Sequence, residues 1–143
     1  MPGKKEHKQE HKHGSQQEFL FNLSMLEQHI QQLHQQMQAV DRGIVELSSL
    51  NLDLNDLTGK KDSEIFAPVG RGIFAKARLL SEDLIVDVGG KKFVSKSIIE
   101  TQKIISEQIR KLEEVKKELN ENIESVSGEA RKMIEGFSDK KDD

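Results

Sequence analysis

From Phe19 the apolar residues fall at Phe19, Leu23, Leu26, Ile30, Leu33, Met37, Val40, Ile44 and Leu47, in steps that alternate four and three. That alternation, held for about four heptads, predicts a helix whose narrow apolar seam packs on a second helix as a coiled coil. A helix on a globular core carries a broader apolar stripe, and a strand repeats every two residues. Beyond Leu47 the pattern reads on through Leu50, Leu54 and Leu57, a three-residue phase shift that would overwind the supercoil locally. Thr58-Gly59 closes the run, with Gly59 placed as a left-handed cap.

A matching seam starts after Ser97. Ser97-Ile98-Ile99-Glu100 has the form of a capping box. Heptad positions follow at Ile98, Gln102, Ile105, Ile109, Leu112, Lys116, Leu119, Ile123, Val126, Ala130, Met133 and Phe137. Glu107–Lys111 and Glu113–Lys117 are i,i+4 pairs oriented to support this helix. The predicted helices, 19–58 and 98–137, are each about 40 residues, or roughly 60 Å. Equal lengths predict an antiparallel hairpin with Phe19 beside Phe137 and Leu57 beside Ile99. Lys116, a seam position near Val40 and Asp41 in that register, either pins the alignment or snorkels out of it.

Between 59 and 97 the period changes to two. Ile73, Ala75, Ala77 and Leu79 alternate with Phe74, Lys76 and Arg78, and Leu84, Val86 and Val88 alternate with Ile85 and Asp87. The spacing predicts one hairpin, 64–69 with 73–79, turning at Gly70-Arg71-Gly72, with Pro68 at an edge or beside the turn. A second turns at Gly89-Gly90 and pairs Asp87 with Lys92, Val86 with Phe93 and Ile85 with Val94. Two such hairpins are marginal alone in water, and the helices are committed to each other. Another subunit is therefore expected to cover them. The expected interface residues are Phe66, Val69, Ile73, Phe74, Ala75, Ala77, Leu79, Leu84, Val86, Val88, Phe93 and Val94. The fold class is α+β, a long antiparallel coiled-coil hairpin with two central β-hairpins that assemble into an oligomeric β-barrel.

Composition agrees with seams rather than a thick core. Apolar side chains are 34% of the 143 residues, charged ones 33% and aromatics 4%, with no Trp, Tyr or Cys. No apolar run approaches the roughly 18–20 residues of a membrane span, and the N-terminus has no apolar stretch of signal-peptide type. A cytoplasmic, membrane-free protein is expected. Absence of Cys excludes disulfides and thiolate chemistry. The net charge is −3, and residues 19–59 hold no lysine, which argues against nucleic acid. Residues 1–18, rich in His, Lys and Gln, are expected as a disordered tail, and 138–143 as a charged one.

Chemistry-bearing signals are weak. Gly70-x-Gly72-x-x-Ala75 fits a dinucleotide fingerprint, but a strand follows it instead of a helix. His7, His11 and His13 lie in the predicted tail, and His29 and His34 do not share a helix face. No enzymatic activity, cofactor or metal is expected.

The segments Phe66-Ala67-Pro68-Val69-Gly70-Arg71-Gly72-Ile73-Phe74-Ala75-Lys76-Ala77 and Asp87-Val88-Gly89-Gly90-Lys91-Lys92-Phe93-Val94 resemble the two hairpins of the prefoldin alpha subunit family. The resemblance covers about 19–137. It implies an ATP-independent chaperone, a hexamer of two alpha and four beta subunits. Hairpins build its central barrels, and its coiled-coil ends hold unfolded clients for a group II chaperonin.

The residues support such ends independently. Phe19, Leu23 and Leu26 serve the seam, but Leu20, Phe21 and Met25 lie off it with no burial site in a two-helix arm. Val126, Met133, Ile134 and Phe137 fall near them in the predicted register and complete the expected client-binding set. A small terminal cap that buries these residues among themselves is the bland alternative. A structural scaffold or homo-oligomeric filament is the alternative function.

Overall fold

The structure is a computed structural model that describes residues 3–142, with side chains described for 15–139. Its elements are α1 (Gly3–Asn55), β1 (Glu64–Gly70), β2 (Ile73–Arg78), β3 (Leu84–Asp87), β4 (Phe93–Lys96) and α2 (Ile98–Asp142). This is the α+β arrangement that the two periodicities predict.

Both helices run past their expected outer ends. The α1 backbone is helical from Gly3, ahead of Phe19, and α2 continues through Gly136 to Asp142. Residues 4–18 hold no proline and are rich in Lys, Gln and Glu, all strong helix formers. The tails expected over 1–18 and 138–143 fall largely on side chains outside the described residues. Inner boundaries are sharper. After Asn55 the chain tightens into i→i−3 bonds from Asp56, Leu57 and Thr58. Gly59 then ends the turn at φ 77°, as a left-handed cap requires. At the start of α2, Ser97 Oγ accepts from the Glu100 amide at 3.1 Å. The reciprocal half of the capping box does not form, because Glu100 turns to Lys96 at 3.9 Å.

The chain divides into two compact units. The terminal unit comprises Met1–Val40 and Val115–Asp143. Its core is Leu33, Met37, Leu119 and Val126, with Leu26, Ile30, Val40 and Ile123 packed against it. The antiparallel register that places Leu33 beside Ile123 and Met37 beside Leu119 requires this cluster.

The central unit, Asp41–Glu114, holds a second core of Leu54, Ile98 and Ile105, supported by Leu47, Leu57, Leu84 and Ile109. Here the expected phase shift does not occur. Leu50 is 46% exposed, whereas Asn51 is half-buried, so the seam keeps its four-three alternation through Ile44, Leu47, Asn51 and Leu54. The substitute for Leu50 is polar and has a polar partner across the seam. Gln102 Nε2 donates to Asn51 O at 3.2 Å and to Asn55 Oδ1 at 2.6 Å, and Asn51 Nδ2 donates to Ser106 Oγ at 3.3 Å. Asn51 Oδ1 is buried and accepts no hydrogen bond among the described residues.

Surface charge is also paired differently from expectation. Arg110 reaches Glu107 at 2.5 Å and Glu114 at 2.6 Å. The Glu107–Lys111 and Glu113–Lys117 bridges do not close. Arg110 is planar and forked, so it spans both carboxylates at once. Its hydrogen bond holds the Glu107 carboxyl below the ordinary glutamate range.

The hairpins form two separate two-stranded antiparallel sheets. In the first, Glu64 faces Arg78, Phe66 faces Lys76, Pro68 faces Phe74 and Gly70 faces Ile73, with a bulge between Pro68 and Gly70. The loop is Arg71-Gly72, both at positive φ (49° and 77°), which is the type I′ geometry that matches strand twist. The second hairpin is shifted by one residue from its expected register. Asp87 pairs with Phe93, Val86 with Val94, Ile85 with Ser95 and Leu84 with Lys96. Three consecutive residues, Gly89, Gly90 and Lys91, take positive φ, so the loop has three residues instead of two. Asp87 causes this locally: its Oδ1 accepts from the Gly89 amide at 2.9 Å, an Asx turn that removes the carboxylate from Lys92.

Candidate functional site

Two sets of apolar side chains lie outside the seams, one in each unit. In the terminal unit, α1 carries Leu20, Phe21 and Met25 at 62%, 65% and 53% exposure, and α2 carries Ile134 at 49%. Their seam neighbours differ. Phe19 and Phe137 stack at 4.2 Å between ring centroids with planes 9° apart, and with Leu23, Leu26 and Met133 they are half-buried. Val126 is buried within the core and offers no surface. The aromatic pair therefore caps the seam without covering Leu20, Phe21 or Met25. Each exposed large apolar side chain forgoes about 1.5–3 kcal/mol of burial, and a contiguous group of them marks an interaction surface. Gly128 in α2 faces open space where a Cβ would point.

In the central unit, strand alternation and register sort the hairpin residues by face. One face of the first hairpin presents Glu64, Phe66, Pro68, Phe74, Lys76 and Arg78, all exposed, with Phe66 at 67% and Phe74 at 59%. The second hairpin presents Ile85, Asp87, Phe93 and Ser95, with Ile85 at 78% and Phe93 at 63%. Val69, Ile73, Ala75 and Val88 are exposed as well. Ala77, Leu79, Leu84, Val86 and Val94 are half-buried, and Leu84 packs on the central core. The expected interface thus divides between open and inward faces. Ile85 was missing from it, because the expectation took the alternate face of β3, whose Leu84 and Val86 turn inward while Ile85 turns outward. Leu80, 78% exposed in the connector between the hairpins, has no periodic signal that would reveal it.

A groove of about 760 Å³ runs beside β3, lined by Leu47, Leu50, Leu54, Ile85 and Ile104 among others. No group of three or more His, Cys, Asp or Glu side chains that could hold a metal occurs among the described residues. No described helix is long and apolar enough to cross a membrane. What the two exposed sets offer chemically is apolar contact and open strand edges.

Comparison with known proteins bears on both. The sequence profile of the prefoldin subunit family matches residues 26–141, nearly the whole helix–hairpins–helix span. The chain belongs to the prefoldin family. Among its relatives, prefoldin subunit alpha of Methanobrevibacter smithii is 34% identical over 57% of this chain and 56% of its own length. Prefoldin subunit alpha of Methanosphaera stadtmanae is 23% identical over 62% of this chain and 64% of its own length. The matches thus span somewhat under two thirds of those relatives. A chain of filamentous PFD from Methanocaldococcus jannaschii, solved by cryo-EM, shares the fold with a TM-score of 0.70 at 20% identity, over 78% of this chain and 94% of that one. Two hairpins between two long helices agree with an alpha-type prefoldin subunit.

Proposed function

We propose that this prefoldin chain is an ATP-independent chaperone subunit that holds non-native proteins on the apolar surface of its terminal unit and assembles through its hairpins. The observation that carries this reading is the partition at the helix ends. Phe19 and Phe137 satisfy each other at the seam, yet Leu20, Phe21 and Met25 stay more than half exposed beside them. Phe supplies contact area and Met adapts its shape to different partners, which suits a surface that must accept many sequences. Ile134, exposed on α2, joins the proposed set together with the half-buried Met133, Leu23 and Leu26. Family membership supports assembly with beta-type prefoldin subunits, two alpha to four beta, and delivery of clients to a group II chaperonin in the cytoplasm.

The test replaces Leu20, Phe21 and Met25 with Ser in the full chain, co-expressed with a beta-type subunit. The assembled mass is expected to stay unchanged, while suppression of aggregation of several unrelated denatured proteins falls by at least about half. Full suppression by the variant would remove the proposed site. Suppression confined to one protein would favour a dedicated scaffold.

A further inference from the structure

All the sulfur in this chain is thioether. It has four methionines, Met1, Met25, Met37 and Met133, and no Cys, Trp or Tyr. An oxidant that would ordinarily reach a thiol first therefore meets methionine instead. The described methionines occupy three different settings. Met37 is 9% exposed, in the core with Leu33, Leu119 and Val126. Met133 is half-buried at a seam position of α2. Met25 is 53% exposed and lies off the seam that Leu23 and Leu26 supply. Phe21, itself 65% exposed, precedes Met25 by four residues and so shares its helix face.

We propose that Met25 is a reversible oxidation site: peroxide converts its thioether to a sulfoxide, which weakens the hold of the terminal unit on non-native protein while its helices stay folded. The proposal rests on the proposed client-holding role of Leu20, Phe21 and Met25 and adds its regulation. In the step, the Met25 sulfur attacks one oxygen of hydrogen peroxide. An S–O bond forms, the O–O bond breaks and the sulfur gives up two electrons. The proton of the transferred oxygen passes to the departing hydroxide, which leaves as water. The return step needs a dithiol, which a methionine sulfoxide reductase oxidises to a disulfide as the sulfoxide oxygen departs in water.

Position decides whether the added oxygen does damage or changes binding. At Met25 it stands in solvent while the surface is empty, but it must be desolvated when an apolar client covers Phe21 and Met25. The surface also loses the adaptable thioether that lets it fit many sequences. At Met37 the same oxygen would lie in the core with no donor and would disrupt the seam. Peroxide has to touch the sulfur, so the exposed thioether reacts first and the core one is spared.

For the test, the full-length chain is treated with hydrogen peroxide, freed of oxidant and mixed with untreated beta-type subunit, so that only this chain is oxidised. Peptide mass spectrometry is expected to show oxygen added at Met25 at least about fivefold faster than at Met37, with circular dichroism and assembled mass unchanged. Capture of several unrelated denatured proteins should weaken about threefold, and a methionine sulfoxide reductase with dithiothreitol should restore it. Met25→Leu has no sulfur at the site and keeps the other three methionines, so its capture after peroxide should equal its own capture before. Met25→Gln, polar without any oxidant, should weaken capture to a similar degree with no loss of helix.

Oxidation of Met37 ahead of Met25, or helix lost in step with capture, would overturn the proposal. So would equal loss of capture in wild type and Met25→Leu, which would place the sensitive group elsewhere. Replacing Leu20, Phe21 and Met25 together by Ser separates the two levels. If that variant captures clients fully, the binding site itself is wrong. If it loses capture while oxidised wild type keeps it, only the switch fails.

Discussion

Gly128 and Gly43 are both helical, and a methyl group added at each meets different surroundings. At Gly128 nothing lies within 4 Å, so Gly128→Ala gains helix propensity at no steric cost, about 1 kcal/mol. At Gly43 the new Cβ would sit 3.2 Å from Leu112 Cδ1, closer than side chains pack comfortably. Gly43→Ala is therefore expected to change stability by less than about 0.5 kcal/mol, the propensity gain being offset by displacement of Leu112. Urea unfolding at fixed protein concentration checks both, and equal stabilisation would contradict the tight seam at Leu112. At this scale the sequence was legible where a side chain obeys a period. The division of residues 19–26 into half-buried Phe19, Leu23 and Leu26 and exposed Leu20, Phe21 and Met25 follows from heptad position alone. Asn51 was not legible, because an apolar pattern passes over a polar residue and takes the adjacent Leu50 in its place.

The elements show the same contrast between long periodicities and local chemistry. Twelve heptad positions in α2 are all half-buried or buried, because a seam repeated over many turns leaves no other register. The second hairpin has only four residues per strand, and one Asx turn suffices to move its pairing by a residue. Side-chain hydrogen bonds of this kind have no period to read. Ion pairs on α2 likewise went to Arg110, whose reach exceeds that of lysine in the expected pairs. The polar layer of Asn51, Asn55, Gln102 and Ser106 belongs to this scale. Asn51→Leu is expected to stabilise the chain by about 1 kcal/mol in urea unfolding, since it removes a buried oxygen without a donor and extends the apolar seam. A loss of more than about 1 kcal/mol would show instead that the layer's hydrogen bonds outweigh its orphan.

At the scale of the whole molecule, 34% apolar and 4% aromatic residues suffice for two slender cores and leave the hairpin faces and helix ends uncovered. Fold and family were legible because the same few motifs, two seams and two turns, carry both. The use of the uncovered surfaces is written less strongly, as residues that the seams do not need. The central claim is that non-native proteins bind at Leu20, Phe21 and Met25 and not along the helices generally. Placing a photoreactive benzophenone in turn at Phe21 and at Leu52, which is 67% exposed in the central unit, tests it directly. Illumination with denatured client should capture client strongly from position 21 and weakly from position 52. Equal capture from both, or capture from position 52 alone, would contradict the account.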